Sequence, residues 1–276
     1  MQKISGIKIS KEIISRLKKT AVPARGMVAV LIGDDSISAN FVNEKKKVAG
    51  ELGVKFDIVN LPKTLGKDAV KSEIDKLSKD QNIGGLIIQL PVPANINRHE
   101  ILKDIPAEKD VDVLGEEAVA SYYVKEAGVL PPSAGVIDEI ISALSLDLSK
   151  MKVAIVGMGL LVGKPIAIYL MHRAKSVELL DTKSEINDVA GADMIISGVG
   201  KAKLIDPKVI KPGAIVIDFG YDYSEGRLVG DFDHSLDDSD EARLDHIKYY
   251  TPTPGGTGPI LVAKLFENFY RLNKYE

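Results

Sequence analysis

The chain contains no cysteine, no tryptophan and only four histidines. Without cysteine, disulfide frameworks, thiolate metal sites and thiol nucleophiles are excluded. The histidines, His99, His172, His234 and His246, are scattered without ligand spacing, so no metal site is expected. No stretch approaches the roughly 20 consecutive apolar residues that a membrane-spanning helix needs. Residues 1–19 alternate apolar with charged side chains and lack the apolar core of a signal peptide. The formal net charge of −3 supplies no basic field, so neither nucleic acid nor a membrane is an expected partner. A cytoplasmic location is expected.

What is present is an ordinary globular balance, 45% hydrophobic and 27% charged, over 276 residues, a length that suits two packed units or one large α/β unit. In the first half, short apolar runs alternate with helical periodicity, the pattern of βαβ units around a parallel sheet. Strands are expected at 27–32, 54–59 and 85–90, and helices at 10–19, 39–52 and 67–79. Pro91 and Pro93 end the third strand, since proline cannot donate to a ladder. Ser133 is expected to cap an amphipathic helix carrying Val136, Ile137, Ile140, Ile141 and Leu144, which bridges the domains. Strands at 153–156, 177–180, 194–197 and 214–219 then form a separate Rossmann-type, doubly wound parallel sheet. The expected division is a catalytic α/β domain at 1–145 and a dinucleotide-binding domain at 146–257. A last helix, 258–276, with Leu261, Leu265, Phe269 and Leu272 at helical spacing, packs back on the first domain. The acidic run 237–241 reads as a solvated loop.

The segment Val153-Ala-Ile-Val-Gly157-Met-Gly159-Leu-Leu-Val-Gly163-Lys-Pro165 is an apolar strand, a glycine turn and a helix start in that order. Gly157 suits the turn, Gly159 the approach of a pyrophosphate to the backbone, and Gly163 close packing of helix on sheet. Free N–H groups at the helix start hold phosphates, and Pro165 fits a first turn, where its missing N–H costs nothing. The spacing departs by one residue from G-x-G-x-x-G. A glycine turn serving only helix packing is the alternative. Asp181 ends the next strand, where a carboxylate either accepts from the adenosine ribose hydroxyls, favouring NAD, or serves as an ordinary turn residue. Arg173, Lys175 and Lys183 lie close enough in sequence to leave NADP open.

Three consecutive lysines, Lys45 to Lys47, are separated by helical geometry at ~100° per residue. Phe41, Val48, Ala49 and Leu52 form one arc with Lys45 in its middle; Lys46 lies at the edge, and Lys47 points away beside Glu44 and Glu51. An ammonium on an inner face either finds partners and shifts its pKa downward, becoming useful as an acid or base, or snorkels past the helix end. Gln89, at the end of a strand, and Asp112, one of two acids in Lys109-Asp-Val-Asp112, are candidate partners.

Taken together, these segments resemble the bifunctional methylenetetrahydrofolate dehydrogenase/cyclohydrolase family over nearly the whole chain. Ser38-Ala-Asn-Phe41-Val-Asn-Glu-Lys45 matches its S-x-x-Y-V-x-x-K, Gln89-Leu-Pro-Val-Pro its Q-L-P-L-P, and Lys109-Asp-Val-Asp112 its K-D-V-D. Val162-Gly-Lys-Pro165 matches half of its cofactor loop, Val216-Ile-Asp-Phe-Gly220 its V-I-D-V-G, and Thr251-Pro-Thr-Pro-Gly-Gly-Thr-Gly-Pro259 its T-P-V-P-G-G-V-G-P. The resemblance implies oxidation of 5,10-methylenetetrahydrofolate with a nicotinamide cofactor, then hydrolysis of the methenyl product to 10-formyltetrahydrofolate. It makes Lys45 the catalytic lysine, Gln89 its companion and Asp112 the carboxylate gripping the pterin. Phe41, Pro254, Gly255 and Gly256 fall at the substrate. Gly157, Met158, Gly159, Gly163, Asp181, Thr182 and Tyr221 fall at the cofactor. It also implies homodimers and NADP, which is the first expectation for the cofactor, with NAD possible.

Several positions depart from that pattern. Phe41 replaces a tyrosine, removing a phenol that would hydrogen-bond or tune Lys45. Gly157-Met-Gly159 replaces G-R-S, and Asp181-Thr182 replaces H-S, so the residues themselves lean toward NAD. Pro131-Pro-Ser-Ala-Gly135 and Val113-Leu-Gly-Glu also diverge, which points to a reshaped substrate pocket. The residues alone also fit a two-domain dehydrogenase of another small substrate, or a nucleotide-sensing module without turnover.

Overall fold

A computed structural model describes residues 1–124, 128–224, 226–234 and 246–274, and the acidic run 237–241 and Tyr275 lie outside the described residues. In chain order the elements are β1 (Gln2–Lys3), α1 (Gly6–Leu17), β2 (Gly26–Ile32), α2 (Ser36–Leu52), β3 (Phe56–Leu61), α3 (Lys67–Lys79), β4 (Ile83–Ile88), α4 (Arg98–Leu102), α5 (Glu116–Tyr123), α6 (Pro132–Leu144), β5 (Lys152–Val156), α7 (Gly163–Leu170), β6 (Ser176–Leu180), β7 (Met194–Ser197), β8 (Ile215–Asp218), β9 (Asp222–Ser224), β10 (Arg227–Val229), β11 (Tyr249–Tyr250) and α8 (Thr257–Leu272). They form two compact units: Glu12–Pro132 with the chain from Val262 onward, and Met1–Lys11 with Ser133–Leu261.

The first unit is built on a parallel three-stranded sheet ordered β3-β2-β4. Its central strand, Gly-Met-Val-Ala-Val-Leu-Ile, is buried at every position, as a strand covered on both faces must be. Helix α2 starts three residues before the expected position because Asp35 caps it, its Oδ2 accepting from Ser38 N at 2.7 Å. Gly53, at φ +72°, ends the helix, and Val54 N still donates back to Ala49 O. That exit turn uses residues 53–55, so β3 begins at 56 rather than 54. Helix α8 seals this unit with Phe266 and Phe269, both fully buried, and Asn273 Nδ2 donates to Gly84 O at 3.0 Å.

The second unit carries a six-stranded parallel sheet ordered β1-β11-β8-β7-β5-β6, with a core of Val156, Leu180, Ile195, Ile205, Val216 and Phe232 among others. Four of its strands stand where the sequence placed them, to within a residue or two. Strands β1 and β11 were not anticipated: each has two residues, too short to show a period, and their pairing draws the N-terminus into this sheet. The expected boundary at 145 therefore moves, because residues 1–11 and helix α6 group with the second unit. Ser133 is not the cap of α6. It lies inside the helix, which opens on Pro132, a residue whose fixed φ suits that position.

Candidate active site and dinucleotide crevice

On α2 the buried face is Ser38, Val42, Ala49 and Leu52, and Lys45 falls between Val42 and Ala49 on the same stripe. Val42 completes the expected arc, with Phe41 and Val48 at its half-buried margins. Lys46 and Lys47 are exposed, and Lys47 pairs with Glu44 at 2.5 Å. Lys45 does not snorkel outward: its Nζ donates to Gln89 Oε1 at 2.7 Å. Gln89 follows β4 directly and is itself buried; its backbone N donates to Val30 O, and its Nε2 donates to Leu90 O at 2.8 Å. Those bonds fix the amide so that its oxygen faces the lysine. The Leu90–Pro91 peptide bond that follows is cis.

Asp112 reaches the same place by a different route. Lys109, buried, anchors the preceding turn by donating to Ser78 O at 2.6 Å and Asp80 O at 2.8 Å at the end of α3. Asp110, also buried, closes the following turn by accepting from Leu114 N at 2.8 Å and Gly115 N at 2.6 Å. Asn268 of α8 donates to Val111 O at 2.8 Å and Leu130 O at 2.7 Å. Three of the four residues in Lys109-Asp-Val-Asp112 thus serve to present the fourth. Sequence reasoning missed Asn268, since an asparagine 156 positions after Asp112 carries no local signal.

Burial pushes the Lys45 ammonium below its ordinary value, and the Asp112 charge opposes that shift. Burial likewise pushes the Asp112 carboxyl upward, against the opposing effect of Lys45. Each group is moved toward its neutral form, which equips an amine to accept a proton and a carboxyl to donate one. Phe41 lies on the same helix, one turn before Lys45.

In the second unit, Gly157 follows β5 with φ +89°, a conformation that favours glycine. At Gly163 an added Cβ would stand 2.0 Å from Gly157 O, so α7 can seat against the turn only with glycine there. At Gly159 nothing lies within 4 Å of such an atom, leaving open backbone where a phosphate would approach. Val162, at the N-cap of α7, offers no side-chain cap, which leaves the helix start available to an anion. These features fit a dinucleotide. Met158 flanks the turn, and Tyr221 lies beside Gly200 in the segment after β7, its carbonyl 3.5 Å from the place of a Cβ there.

Asp181 and Thr182 are exposed just beyond β6. Asp181 Oδ1 accepts from Lys183 N at 2.8 Å, and its own N donates to Ser184 Oγ at 3.1 Å, so it does shape a turn. Arg173 is drawn over the Tyr169 ring at 4.6 Å. Pro254, Gly255 and Gly256 belong to this second unit, not to the unit of Lys45; Gly255 has φ +95° and its O accepts from Gly6 N.

The model for the tetrahydrofolate dehydrogenase/cyclohydrolase catalytic domain matches residues 4–112, and that for the NAD(P)-binding domain of the same proteins matches residues 131–276. Bifunctional protein FolD of Clostridium botulinum (strain Eklund 17B / Type B) is 33% identical over 98% of this chain and 96% of its own length. The protein of the same name from Lactobacillus delbrueckii subsp. bulgaricus is 34% identical over 98% and 93%. Among solved structures, the methylenetetrahydrofolate dehydrogenase-cyclohydrolase of Trypanosoma brucei, complexed with NADP cofactor and inhibitor, superimposes with a TM-score of 0.89 at 26% identity, over 99% of this chain and 97% of that one. The Campylobacter jejuni bifunctional enzyme gives 0.87 at 29% identity, over 98% and 95%.

Proposed function

The chain belongs to the tetrahydrofolate dehydrogenase/cyclohydrolase family, and from that premise we propose that Lys45, Gln89 and Asp112 carry its two reactions. The protein is a nicotinamide-dependent methylenetetrahydrofolate dehydrogenase and methenyltetrahydrofolate cyclohydrolase. The cofactor, when bound, accepts the hydride from the methylene carbon of 5,10-methylenetetrahydrofolate. Asp112 holds the N–H edge of the pterin, and Phe41 offers a ring face to the substrate. In the second reaction water adds to the methenyl carbon, and Lys45, pushed by burial toward the neutral amine, takes the proton it sheds. Collapse of the adduct breaks the bond from that carbon to N5, which is protonated, and the formyl group stays on N10; one proton is released overall. Gln89 orients the lysine through its amide oxygen. The observation that carries this reading is the 2.7 Å bond from Lys45 Nζ to Gln89 Oε1, with Asp112 near enough for its charge to favour the ammonium form against burial.

For the cofactor we infer NAD, against the NADP that family resemblance implies. Support comes from the exposed Asp181 carboxylate beyond β6, where a ribose 2′-phosphate would meet a like charge, from Met158 in the place of an arginine, and from Arg173 being engaged with Tyr169. We also propose a homodimer: β6 is an edge strand, and Leu179 on it is 51% exposed, with Met171 nearby in sequence 46% exposed. The reading includes a cytoplasmic location. The purified protein should reduce NAD more efficiently than NADP with 5,10-methylenetetrahydrofolate and then yield 10-formyltetrahydrofolate. Absence of reduction with either cofactor would sink the reading, and light scattering decides the dimer.

A further inference from the structure

The sheet order of the second unit places its switch point between β5 and β7, since the chain runs from β5 to β6 on one side and to β7, β8 and β11 on the other. A ligand of an open parallel sheet lies beyond the carboxyl ends of such a pair of strands. On the β5 side stands the glycine turn already described. On the β7 side stands the segment 198–201, and its shape depends on one distant residue.

That residue is Asp231, which is fully buried. Its Oδ2 accepts from Ser197 Oγ at 2.6 Å and from Val199 N at 2.8 Å; its Oδ1 accepts from Gly200 N at 2.9 Å and from Lys201 N at 2.8 Å. Three successive backbone N–H groups thus converge on a carboxylate, an arrangement that in other proteins receives an anionic ligand. Here the protein supplies the anion from some 30 residues later. Asp231 is held independently: its O accepts from Ile205 N at 2.8 Å, and Phe232 N next to it donates to Asp218 Oδ2 at 3.0 Å.

The fixed segment bears directly on the glycine turn. A Cβ at Gly157 would meet Val199 Cγ2 at 2.9 Å and Gly198 O at 3.2 Å, and Val199 is 45% exposed. The two rims are therefore packed on each other at the expected place of the dinucleotide. The glycine of Val216-Ile-Asp-Phe-Gly220 has the same origin, because a Cβ there would stand 2.0 Å from Asp231 Cγ.

Resting on the reading of this unit as a nicotinamide-dinucleotide site, we propose that Asp231 is a positioning residue for the cofactor: it clamps residues 199–201 and so sets the wall of the crevice opposite Gly157. Asp231→Asn keeps the side-chain shape but sets an amide NH2 against Val199 N at the Oδ2 place, or against both Gly200 N and Lys201 N at the Oδ1 place, and Ser197→Ala removes one of the four bonds while leaving the carboxylate. Dissociation constants for NAD and NADP by calorimetry, with steady-state kinetics, provide the test. Asp231→Asn should raise both the dissociation constant and the KM of the preferred cofactor by about 10- to 100-fold, with the KM for methylenetetrahydrofolate and kcat at saturating cofactor within about twofold. Ser197→Ala should raise the same two constants by about 3- to 10-fold, and it decides the matter if Asp231→Asn does not fold. Unchanged cofactor constants in the folded variants, or a fall in kcat alone, would overturn the role of Asp231 while leaving the function intact. Failure of the wild-type protein to bind either dinucleotide would overturn both.

Discussion

Lys45 Nζ donates to Gln89 Oε1 at 2.7 Å, joining a helix to the end of a strand 44 residues later. A neutral acceptor there leaves the lysine free to lose its charge, whereas a carboxylate would hold the ammonium form. Gln89→Glu should therefore shift the pH profile of methenyl hydrolysis upward, because the amine must deprotonate against an adjacent negative charge. The profile of nicotinamide reduction should move less. An unshifted hydrolysis profile would separate Gln89 from the lysine's function.

Phe41 lies one helical turn from Lys45 and has no hydroxyl. Phe41→Tyr restores a phenol able to hydrogen-bond within the site. Methenyl hydrolysis is expected to rise by about 3- to 10-fold, the worth of one such bond, with hydride transfer little altered. Following the transient accumulation of methenyltetrahydrofolate in wild type and variant measures this directly: accumulation should be greater in the wild type.

On the proposed cofactor reading, the exposed Asp181 carboxylate opposes the 2′-phosphate of NADP, and Met158 provides no counter-charge. In the double variant Asp181→Ser, Met158→Arg, the ratio of kcat/KM for NAD to that for NADP should fall by about 10- to 100-fold. A ratio unchanged by both substitutions would move cofactor choice away from this corner of the unit.

Asp218 is fully buried, and burial, reinforced by the neighbouring Asp231 carboxylate, pushes its pKa up to about 7. A carboxyl raised in the folded state stabilises the fold fully below its ordinary value of 3.8, and the contribution is lost as pH rises toward 7. The shift corresponds to on the order of 4 kcal/mol. Asp218→Asn cannot ionise, so its Tm should decline less than that of wild type between about pH 4 and 7, the span of the shift. The slope is the readout, since the amide also changes the bonds from Gly220 N and Phe232 N. Parallel slopes would show that Asp218 titrates normally.

Much of the fold was legible because long strands and helices carry their own period. β2 is apolar throughout, and Lys45 stands out on α2 because its neighbours on the same face are Val42 and Ala49. Strands β1 and β11 escaped because two residues have no period, and the exit turn at Gly53 displaced β3 because its backbone bonds are invisible in composition. In the proposed site, the grouping of Lys45 with Gln89 and Asp112 was legible by residue type within motifs. Asn268, which holds the Asp112 loop, and Asp231, which holds the crevice wall, were not. Both act on backbone groups far away in sequence, and any buried polar residue reads the same way in one dimension.

The central claim, that Lys45 handles the proton of hydrolysis while hydride transfer depends mainly on positioning, is tested most directly by Lys45→Met. This substitution keeps an apolar stem on the buried stripe of α2 and removes the amine. Both half-reactions should be followed on one sample, nicotinamide reduction alongside methenyl consumption. Hydrolysis is expected to fall by about 100-fold or more, the usual scale of a general acid or base, while reduction falls by less than about tenfold and methenyltetrahydrofolate accumulates. Retained hydrolysis, or an equal loss of both reactions, would contradict the account.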